Sequence, residues 1–148
     1  MESTCAETHV TEITVGSGFY APGLFDNYRA FKHQPAAGFA LEIVRQPKDG
    51  IYTCHGGGYI ASGAVSADKQ PVIYAPEGAQ LTSLEGSGEV QTPIVYAGTH
   101  MLRLGDPIFL RHSKAGELCE RFNTLLLIRG DAIIAEAPTY RGEQQCFL

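Results

Sequence analysis

The chain has 148 residues, of which 44% are hydrophobic and 18% are charged, a composition typical of one folded domain with its own core rather than of a disordered chain. The formal net charge is −5, and the 11 lysines and arginines are scattered along the sequence, so no basic surface for nucleic acid is indicated. No apolar run approaches the roughly 20 residues of a membrane-spanning helix, and the polar N-terminus does not resemble a signal peptide. We therefore expect a protein that binds neither nucleic acid nor a membrane.

The first third of the chain contains one predicted strand and one predicted helix. Residues 1–10 are polar, and we expect them to be loose. Residues 11–15 read TEITV, an alternation of polar and β-branched side chains that predicts a strand. This strand leads directly into a glycine-rich turn at residues 16–18. Apolar side chains within residues 24–31 then recur at helical spacing and predict a short helix.

The remainder of the chain is dominated by strand patterns. Residues 38–44 and 51–54 flank a turn that contains Pro47 and Gly50, which predicts a hairpin. Residues 124–129 and 132–137 flank Gly130-Asp131 and predict a second hairpin. Leu118, Cys119 and Phe122 follow Ala115 at helical spacing and predict a helix over 113–122. Four further short strands are predicted at residues 72–74, 81–84, 89–94 and 108–111.

These elements amount to about nine short strands and one or two short helices. We therefore predict a mainly β fold, a small barrel or sandwich, in a single domain over residues 11–148. The four cysteines have no C-x-x-C spacing and follow no secretory signal, so we predict reduced thiols in a cytoplasmic protein. They are Cys5, Cys54, Cys119 and Cys146.

Two glycine-rich segments are candidate binding sites. Backbone N–H groups in the Gly16-Ser17-Gly18 turn are suited to hold a phosphate, because glycine has no Cβ to block the approach. The alternative is an ordinary tight turn. Residues 55–59, HGGGY, resemble an oxyanion loop, but the chain has no G-x-S-x-G segment to supply a nucleophile. A crowded bulge or turn is the favoured interpretation of residues 55–59.

The third candidate is the charged segment at residues 111–121, RHSKAGELCER. It combines an imidazole, an ammonium, two carboxylates and a thiol at the end of a predicted strand. His112 together with Cys119 or Glu117 would be able to bind a metal, although the spacing matches no standard zinc site. A salt-linked surface turn is the alternative, and the residues alone leave the function open between an enzyme fragment and a binding module.

Several segments together resemble a known family. They are TEITVGSGFY, HGGGYIASG, EGSGEVQTPI, LGDPIFLRHSKAGELCERFN and PTYRGEQQCFL. In order and spacing they resemble the C-terminal part of the pyridoxal-phosphate-dependent amino acid aldolases, deaminases and racemases, the group of D-threonine aldolase and D-serine dehydratase, which is related to alanine racemase. The resemblance extends over nearly the whole chain, from about residue 11 to residue 148.

The resemblance implies a two-part enzyme. In that family an N-terminal α/β barrel holds the cofactor on a lysine, and a C-terminal β domain closes the active site. The chain resembles this second part, with residues 11–20 resembling the last barrel strand and the loop at the cofactor phosphate. Within that loop, Gly16, Ser17 and Tyr20 match the family's G-[ST]-x-Y region, which implies that they bind the cofactor phosphate.

The resemblance also implies a role for the charged segment. Metal-binding members carry a His-x-Cys or His-x-Asp pair, and the matching positions are His112 and Lys114. An ammonium has no lone pair for a metal, so the second ligand is replaced and metal binding is in doubt. We hypothesise that Lys114 supplies the positive charge that zinc supplies elsewhere, and that His112 and Lys114 position the substrate.

We therefore expect a parent enzyme that uses pyridoxal phosphate on D- or 3-hydroxy amino acids. The reaction is aldol cleavage, elimination or racemisation. The cofactor lysine belongs to the barrel, so we expect this chain alone to bind no pyridoxal phosphate tightly and to be inactive. The expected partners are the barrel domain, a small amino acid substrate and a second copy in a homodimer. The alternative is a free-standing, non-catalytic β module for ligand binding or subunit interaction.

Overall fold

The computed structural model describes residues 2–145, so the predicted thiol of Cys146 lies outside the described residues. Within them the fold is mainly β, as predicted, with two short helices, α1 (Glu2–Cys5) and α2 (Ala115–Arg121). No described helix has the length and apolar character needed to cross a membrane. The strands are β1 (Phe39–Lys48), β2 (Ile51–His55), β3 (Val72–Ala75), β4 (Ala79–Leu81), β5 (Gln91–Tyr96), β6 (Pro107–Arg111), β7 (Thr124–Arg129) and β8 (Ala132–Pro138).

Six of the strands form one antiparallel sheet in the order β3-β6-β1-β2-β5-β4. The two edge strands, β3 and β4, follow each other in the chain and contact one another, so the sheet curls into a nearly closed barrel. The predicted hairpin of β1 and β2 is present, and its register shifts between Ile43 and Arg45 and again before Lys48. Such irregularities increase strand twist and curvature, which barrel closure requires.

The core of the barrel follows from the period-2 alternation of its strands. Phe39, Leu41 and Ile43 of β1 point inward and are buried, while the residues between them are exposed. The fully buried side chains include Ile94 of β5 and Ile108 and Leu110 of β6. The rest of the core cluster consists of Tyr52, Cys54, Ala79, Tyr96, Leu102 and Leu118.

Helix α2 is anchored to this core by aromatic packing. Phe122, directly after the helix, stacks at 6.2 Å from the Phe39 ring, and the edge of Tyr59 meets both rings at 4.8 and 5.3 Å. The Arg121 guanidinium lies 5.5 Å over the Tyr59 ring. Because of this packing, the residues before and along α2 have a fixed position at the end of the barrel.

The second predicted hairpin is present as β7 and β8, which pair only with each other in the described part of the chain. Leu125 packs against the barrel core. Most of the large apolar side chains of this hairpin are nevertheless exposed. They are Leu126, Leu127, Ile128, Ile133 and Ile134.

Two predictions about the first third of the chain are wrong. Residues 11–15 form no strand, because no described strand lies beside them to accept and donate the ladder hydrogen bonds that stabilise an extended segment. The helix predicted over 24–31 is instead a 3-10 turn at Gly23–Asn27. Residues 2–10, expected to be loose, contain the single helical turn of α1.

The HGGG segment is a crowded turn, which is the interpretation favoured above. Gly57 has φ +107°, and a Cβ there would lie 2.5 Å from Leu41 Cδ1 and 2.6 Å from Thr92 Oγ1. A Cβ on Gly58 would meet the Glu89 backbone at 2.7 Å. The Thr92 hydroxyl also donates to Gly56 O at 2.6 Å. These glycines let one turn pack directly onto the core.

Substitution of Gly57 separates this packing requirement from backbone strain. A positive φ costs a residue with a Cβ about 1–2 kcal/mol, and an overpacked core adds about 1–3 kcal/mol. We therefore expect Gly57→Ala to lower the free energy of unfolding by about 3 kcal/mol. Gly105 is the matched control, since its φ is +93° and a Cβ there meets nothing within 4 Å. Urea denaturation that gave Gly57→Ala and Gly105→Ala equal losses would contradict the packing argument.

Candidate functional site

The segment before the barrel is docked against the end of strand β6. The N–H of Gly23 donates to His112 O at 2.9 Å, and the N–H of Leu24 donates to Ser113 O at 3.3 Å. A Cβ on Gly23 would lie 3.0 Å from Val72 Cγ2, so glycine permits this close approach. The 3-10 turn at Gly23–Asn27 therefore has a defined position beside the charged segment of residues 111–121.

An arginine completes this docking. Arg111 donates to both carboxylate oxygens of Asp26, at 2.8 and 3.1 Å, and to Ala21 O at 2.8 Å. The Arg111 residue is only 7% exposed, whereas the Asp26 side chain is 48% exposed. A bidentate pair fixes orientation as well as distance. We call these contacts of Arg111 with Ala21 and Asp26 the arginine clamp.

The clamp helps to form a cleft between the docked segment and α2. The cleft has a volume of about 460 Å³, large enough for a small metabolite. One wall carries apolar side chains of the docked segment, and the other carries charged residues before and along α2. Its lining residues are Ser17, Pro22, Leu24, Phe25, Ser62, Lys114, Glu117 and Glu120. We call this the Lys114 cleft.

Ser62 contacts two charged side chains of this cleft, Lys114 and Glu117. The Lys114 ammonium donates to Ser62 Oγ at 3.3 Å and to Ser62 O at 3.4 Å. The Ser62 N–H donates to a carboxylate oxygen of Glu117. The loop that carries Ser62 is held in turn by Ser113, whose hydroxyl donates to Asp68 O at 2.7 Å. The Lys114 side chain is thus oriented by a loop 52 residues earlier in the sequence.

A second cleft of about 430 Å³ adjoins the first and shares Ser17 and Phe25 with it. One side is the glycine-rich turn, Thr14, Val15, Gly16, Ser17 and Gly18, and the other side is aromatic. Tyr28 and Phe31 stack at 4.9 Å, and His33 meets the Phe31 ring at 4.7 Å. We call this the aromatic cleft.

The glycine-rich turn presents unused donors. Phe19 and Tyr20 donate their N–H groups back to Gly16 O and Ser17 O at 3.2 and 3.1 Å. The N–H groups of Ser17 and Gly18 have no acceptor among the described residues, as is expected for the start of a 3-10 turn. A Cβ on Gly16 would meet nothing within 4 Å, so the approach to these donors is open.

Tyr20 and His112 pack against each other, and neither of them lines a cleft. The rings meet edge to face at 6.3 Å, and the Cys119 thiol donates to the Tyr20 hydroxyl at 3.8 Å. This contact with Cys119 is the main reason that the pKa of Tyr20 is raised. His112 is 2% exposed, and neither ring nitrogen has a hydrogen-bond partner among the described residues. Neither Tyr20 nor His112 lines the Lys114 cleft or the aromatic cleft.

The pKa of His112 is lowered from 6.5 to about 4, mainly by burial and in addition by the positive charge of Arg111. The carboxylate of Glu117 opposes both effects. The imidazole is therefore neutral near neutral pH.

Three described cysteines are free, with Cys5 exposed and Cys54 and Cys119 buried. Among residues 2–145 no group of three or more histidine, cysteine or carboxylate side chains is arranged to hold a metal.

The structure thus separates the predicted site residues into two groups. Ser17 and Lys114 line one cleft, and Gly16 and Ser17 line the other, whereas Tyr20 and His112 are packed together behind them. Glu120 belongs to the charged segment that the sequence marked as a candidate, whereas nothing in the sequence marked Ser62 or Asp26. Ser62 and Asp26 act across 52 and 85 residues of sequence, and no local pattern marks such pairs.

Part of a solved enzyme has a similar fold. The D-threonine aldolase from Filomicrobium marinum matches with a TM-score of 0.60 and 16% sequence identity, over 75% of this chain and 29% of the aldolase chain. The chain therefore spans less than a third of the length of that enzyme. At this identity the likeness establishes the fold alone. No family model matches the sequence, and no curated protein matches it.

Removal of the Asp26 charge tests the arginine clamp. Asp26→Asn leaves a buried guanidinium without its counter-ion, and we expect a loss of about 2 kcal/mol in the free energy of unfolding. The Lys69–Asp68 pair, 3.9 Å apart with 47% of the Asp68 side chain exposed, is the matched control. Its disruption by Lys69→Met is expected to cost less than about 1 kcal/mol. Equal losses for the two variants in urea denaturation would contradict a structural role for the clamp.

The buried imidazole predicts a specific pH dependence of stability. Unfolding restores the ordinary pKa of His112, so the unfolded chain binds a proton between pH 6.5 and about 4 that the folded chain does not. The neutral imidazole makes its full contribution to the free energy of unfolding above pH 6.5. This contribution is lost as the pH falls toward 4, a decrease of about 3 kcal/mol.

His112→Leu removes this titration, so the free energy of unfolding should fall less steeply between pH 6.5 and 4 in the variant than in the parent chain. His9→Gln, at an exposed position, is the control and should keep the parent slope. Identical slopes for His112→Leu and the parent would show that His112 is not a buried neutral group.

Proposed function

We propose that this chain is the β domain that closes the cofactor site of a pyridoxal-phosphate-dependent enzyme acting on D- or 3-hydroxy amino acids. The observation that carries the proposal is the open glycine-rich turn at the aromatic cleft, on a fold shared with part of a D-threonine aldolase. The sequence segments that resemble this enzyme group support the same assignment. Aldol cleavage, elimination and racemisation all remain within the proposal.

The residues of the aromatic cleft fit the phosphate of this cofactor. The free N–H groups of Ser17 and Gly18 and the Ser17 hydroxyl are donors on one short turn, and such turns bind phosphate oxygens. Gly16 leaves the space above the turn open. The aromatic wall on the other side suits a flat ring. Tyr20 contributes through its packing on His112 and Cys119 rather than by lining the cleft.

When bound, the cofactor would act as an electron sink that stabilises negative charge at the substrate α-carbon. The residues of this chain would bind and orient the substrate beside it. Lys114 would attract the substrate carboxylate or hydroxyl, and Ser62 would hold the Lys114 ammonium in the required direction. His112, neutral and buried, would support the Tyr20 ring behind the turn. Lys114 would thereby supply the positive charge for substrate binding, and no metal would be needed for it.

The proposed partner is an N-terminal α/β barrel domain that carries the cofactor lysine. Phe19 is 72% exposed and Tyr28 is 50% exposed beside the glycine-rich turn, and large apolar side chains at such positions mark interaction surfaces. We also propose a homodimer. Residues 11–15 offer no strand edge for it, but the exposed apolar side chains of the β7–β8 hairpin, together with Tyr28 of the predicted 24–31 face, support a contact between two copies.

A free-standing binding module remains the second candidate. The observation that favours it is that Ser62, on a loop of this same chain, already orients the Lys114 ammonium in the cleft. In that case the cleft would bind a small polar ligand without a cofactor. The two candidates differ in whether the glycine-rich turn recognises a phosphate.

Binding of pyridoxine 5′-phosphate tests the proposed function. This probe has the cofactor's ring and phosphate but no aldehyde, so it cannot react with surface lysines. Chemical-shift titration of the ¹⁵N-labelled chain, read at the Ser17 and Gly18 amides, gives the affinity of each probe. We expect weak but saturable binding of the phosphate form and at least tenfold weaker binding of pyridoxine, because a phosphate held by several donors contributes at least about 1.4 kcal/mol.

Ser17→Ala should weaken binding of the phosphate form and leave pyridoxine unchanged, because only the phosphate meets the Ser17 hydroxyl. Ser83→Ala, at an exposed position outside both clefts, is the matched control. Equal affinity for pyridoxine and its phosphate, or no binding of either, would refute a cofactor phosphate at this turn.

A further inference from the structure

The charged residues of the Lys114 cleft do not neutralise one another. Lys114, Glu117 and Glu120 line the same cleft. Within residues 2–145, however, the ion pairs are Lys69–Asp68 and Arg111–Asp26. Charges of both signs that face one cleft without pairing are available to a ligand that itself carries both signs.

The positive end of the cleft is prepared for a carboxylate. Lys114 directs its ammonium at two oxygens of Ser62, 3.3 and 3.4 Å away, which orients the side chain but leaves further N–H donors. An ammonium has three donors. The Ser62 hydroxyl accepts from Lys114 and so keeps its own proton to donate. A ligand carboxylate would therefore meet an oriented cation and a hydroxyl donor together.

The negative end lies on one face of α2. Glu117 and Glu120 are three residues apart, a spacing that places both side chains on the same side of a helix. Glu117 accepts one hydrogen bond from the Ser62 N–H and has further lone pairs. Glu120 is exposed at the cleft. Burial raises the pKa of Tyr140, and the negative charge of Glu120 raises it further. A ligand whose carboxylate lies at Lys114 would extend its other end along these two carboxylates.

We propose that Glu117 and Glu120 are specificity-determining residues, and that the cleft selects amino acids whose side chain ends in a cation over those with a neutral or acidic end. This inference rests on the proposed function, because it takes the ligand of the cleft to be an amino acid held through its carboxylate at Lys114. Glutamate side chains repel an acidic substrate and attract a basic one, and the sign of the effect does not depend on the reaction performed.

The test compares ligands that differ only at the end of the side chain. The probes are D-lysine and D-norleucine, which have the same carbon chain with and without a terminal ammonium. Chemical-shift titration of the ¹⁵N-labelled chain at low ionic strength gives both affinities from the amides of Ser62 and α2. One charge pair near a surface contributes about 1 kcal/mol or more, so we expect D-lysine to bind at least about fivefold more tightly. Added salt should reduce the difference.

Glu120→Gln keeps the shape of the side chain and removes its charge. We expect it to weaken D-lysine binding about fivefold and to leave D-norleucine binding unchanged. Glu136→Gln, on the exposed outer hairpin, is the matched control and should alter neither. In a second ligand pair, D-glutamine should bind more tightly than D-glutamate.

The two proposals fail in different ways. Equal binding of D-lysine and D-norleucine, or an unchanged preference in Glu120→Gln, would overturn the selectivity and leave the proposed function in place. Lys114→Met should abolish binding of both ligands, since it removes the carboxylate anchor. Absence of saturable shifts with every amino acid would overturn both the selectivity and amino acid binding at this cleft.

Discussion

A buried guanidinium needs several hydrogen-bond acceptors, and the acceptors that Arg111 contacts lie on one short segment of the chain. Its contacts with Asp26 and with Ala21 O, at 2.8 to 3.1 Å, attach the 3-10 turn at Gly23–Asn27 to the end of strand β6. Among the described residues, the backbone hydrogen bonds from this segment to the barrel end are those of the Gly23 and Leu24 N–H groups, and the arginine contacts add three side-chain hydrogen bonds to them. The walls of both clefts depend on where this segment lies, because Phe25 lines each of them.

The chemistry of the site depends on the few residues at the end of strand β6, where the docked segment is attached. Arg111 and His112 are buried, whereas Lys114 reaches the cleft two residues later. A neutral imidazole and a charged ammonium are thus placed almost adjacently in sequence but in environments of very different polarity. Desolvation keeps His112 uncharged, whereas the Lys114 side chain lines the cleft, where it meets a ligand. The same short segment therefore supplies both a packing group and a binding group.

The sequence predicted the barrel well because its signals are local. The alternation of Phe39, Leu41 and Ile43 and the turn residues Pro47, Gly50 and Gly130 specify hairpins within about ten residues of chain. Residues 11–15 carry the same alternation but form no strand, because strand formation also requires a neighbour. The candidate site was predictable only in part. The residue types of Ser17 and Lys114 identified them as candidates. Their position in one cleft depends on Asp26 and Ser62, whose contacts span long sequence separations.

The segment before the barrel is docked against strand β6, so the two clefts exist before any ligand binds. Native-state hydrogen exchange of the Gly23 and Leu24 amides measures this directly, because both donate to carbonyls beyond β6 and exchange only when the segment opens. We expect the protection of both amides to approach that of the β1 and β6 amides, while the Ser17 and Gly18 amides exchange freely. Exchange of Gly23 and Leu24 as fast as that of Ser17 and Gly18 would show that the segment is not docked and that the clefts are not preformed.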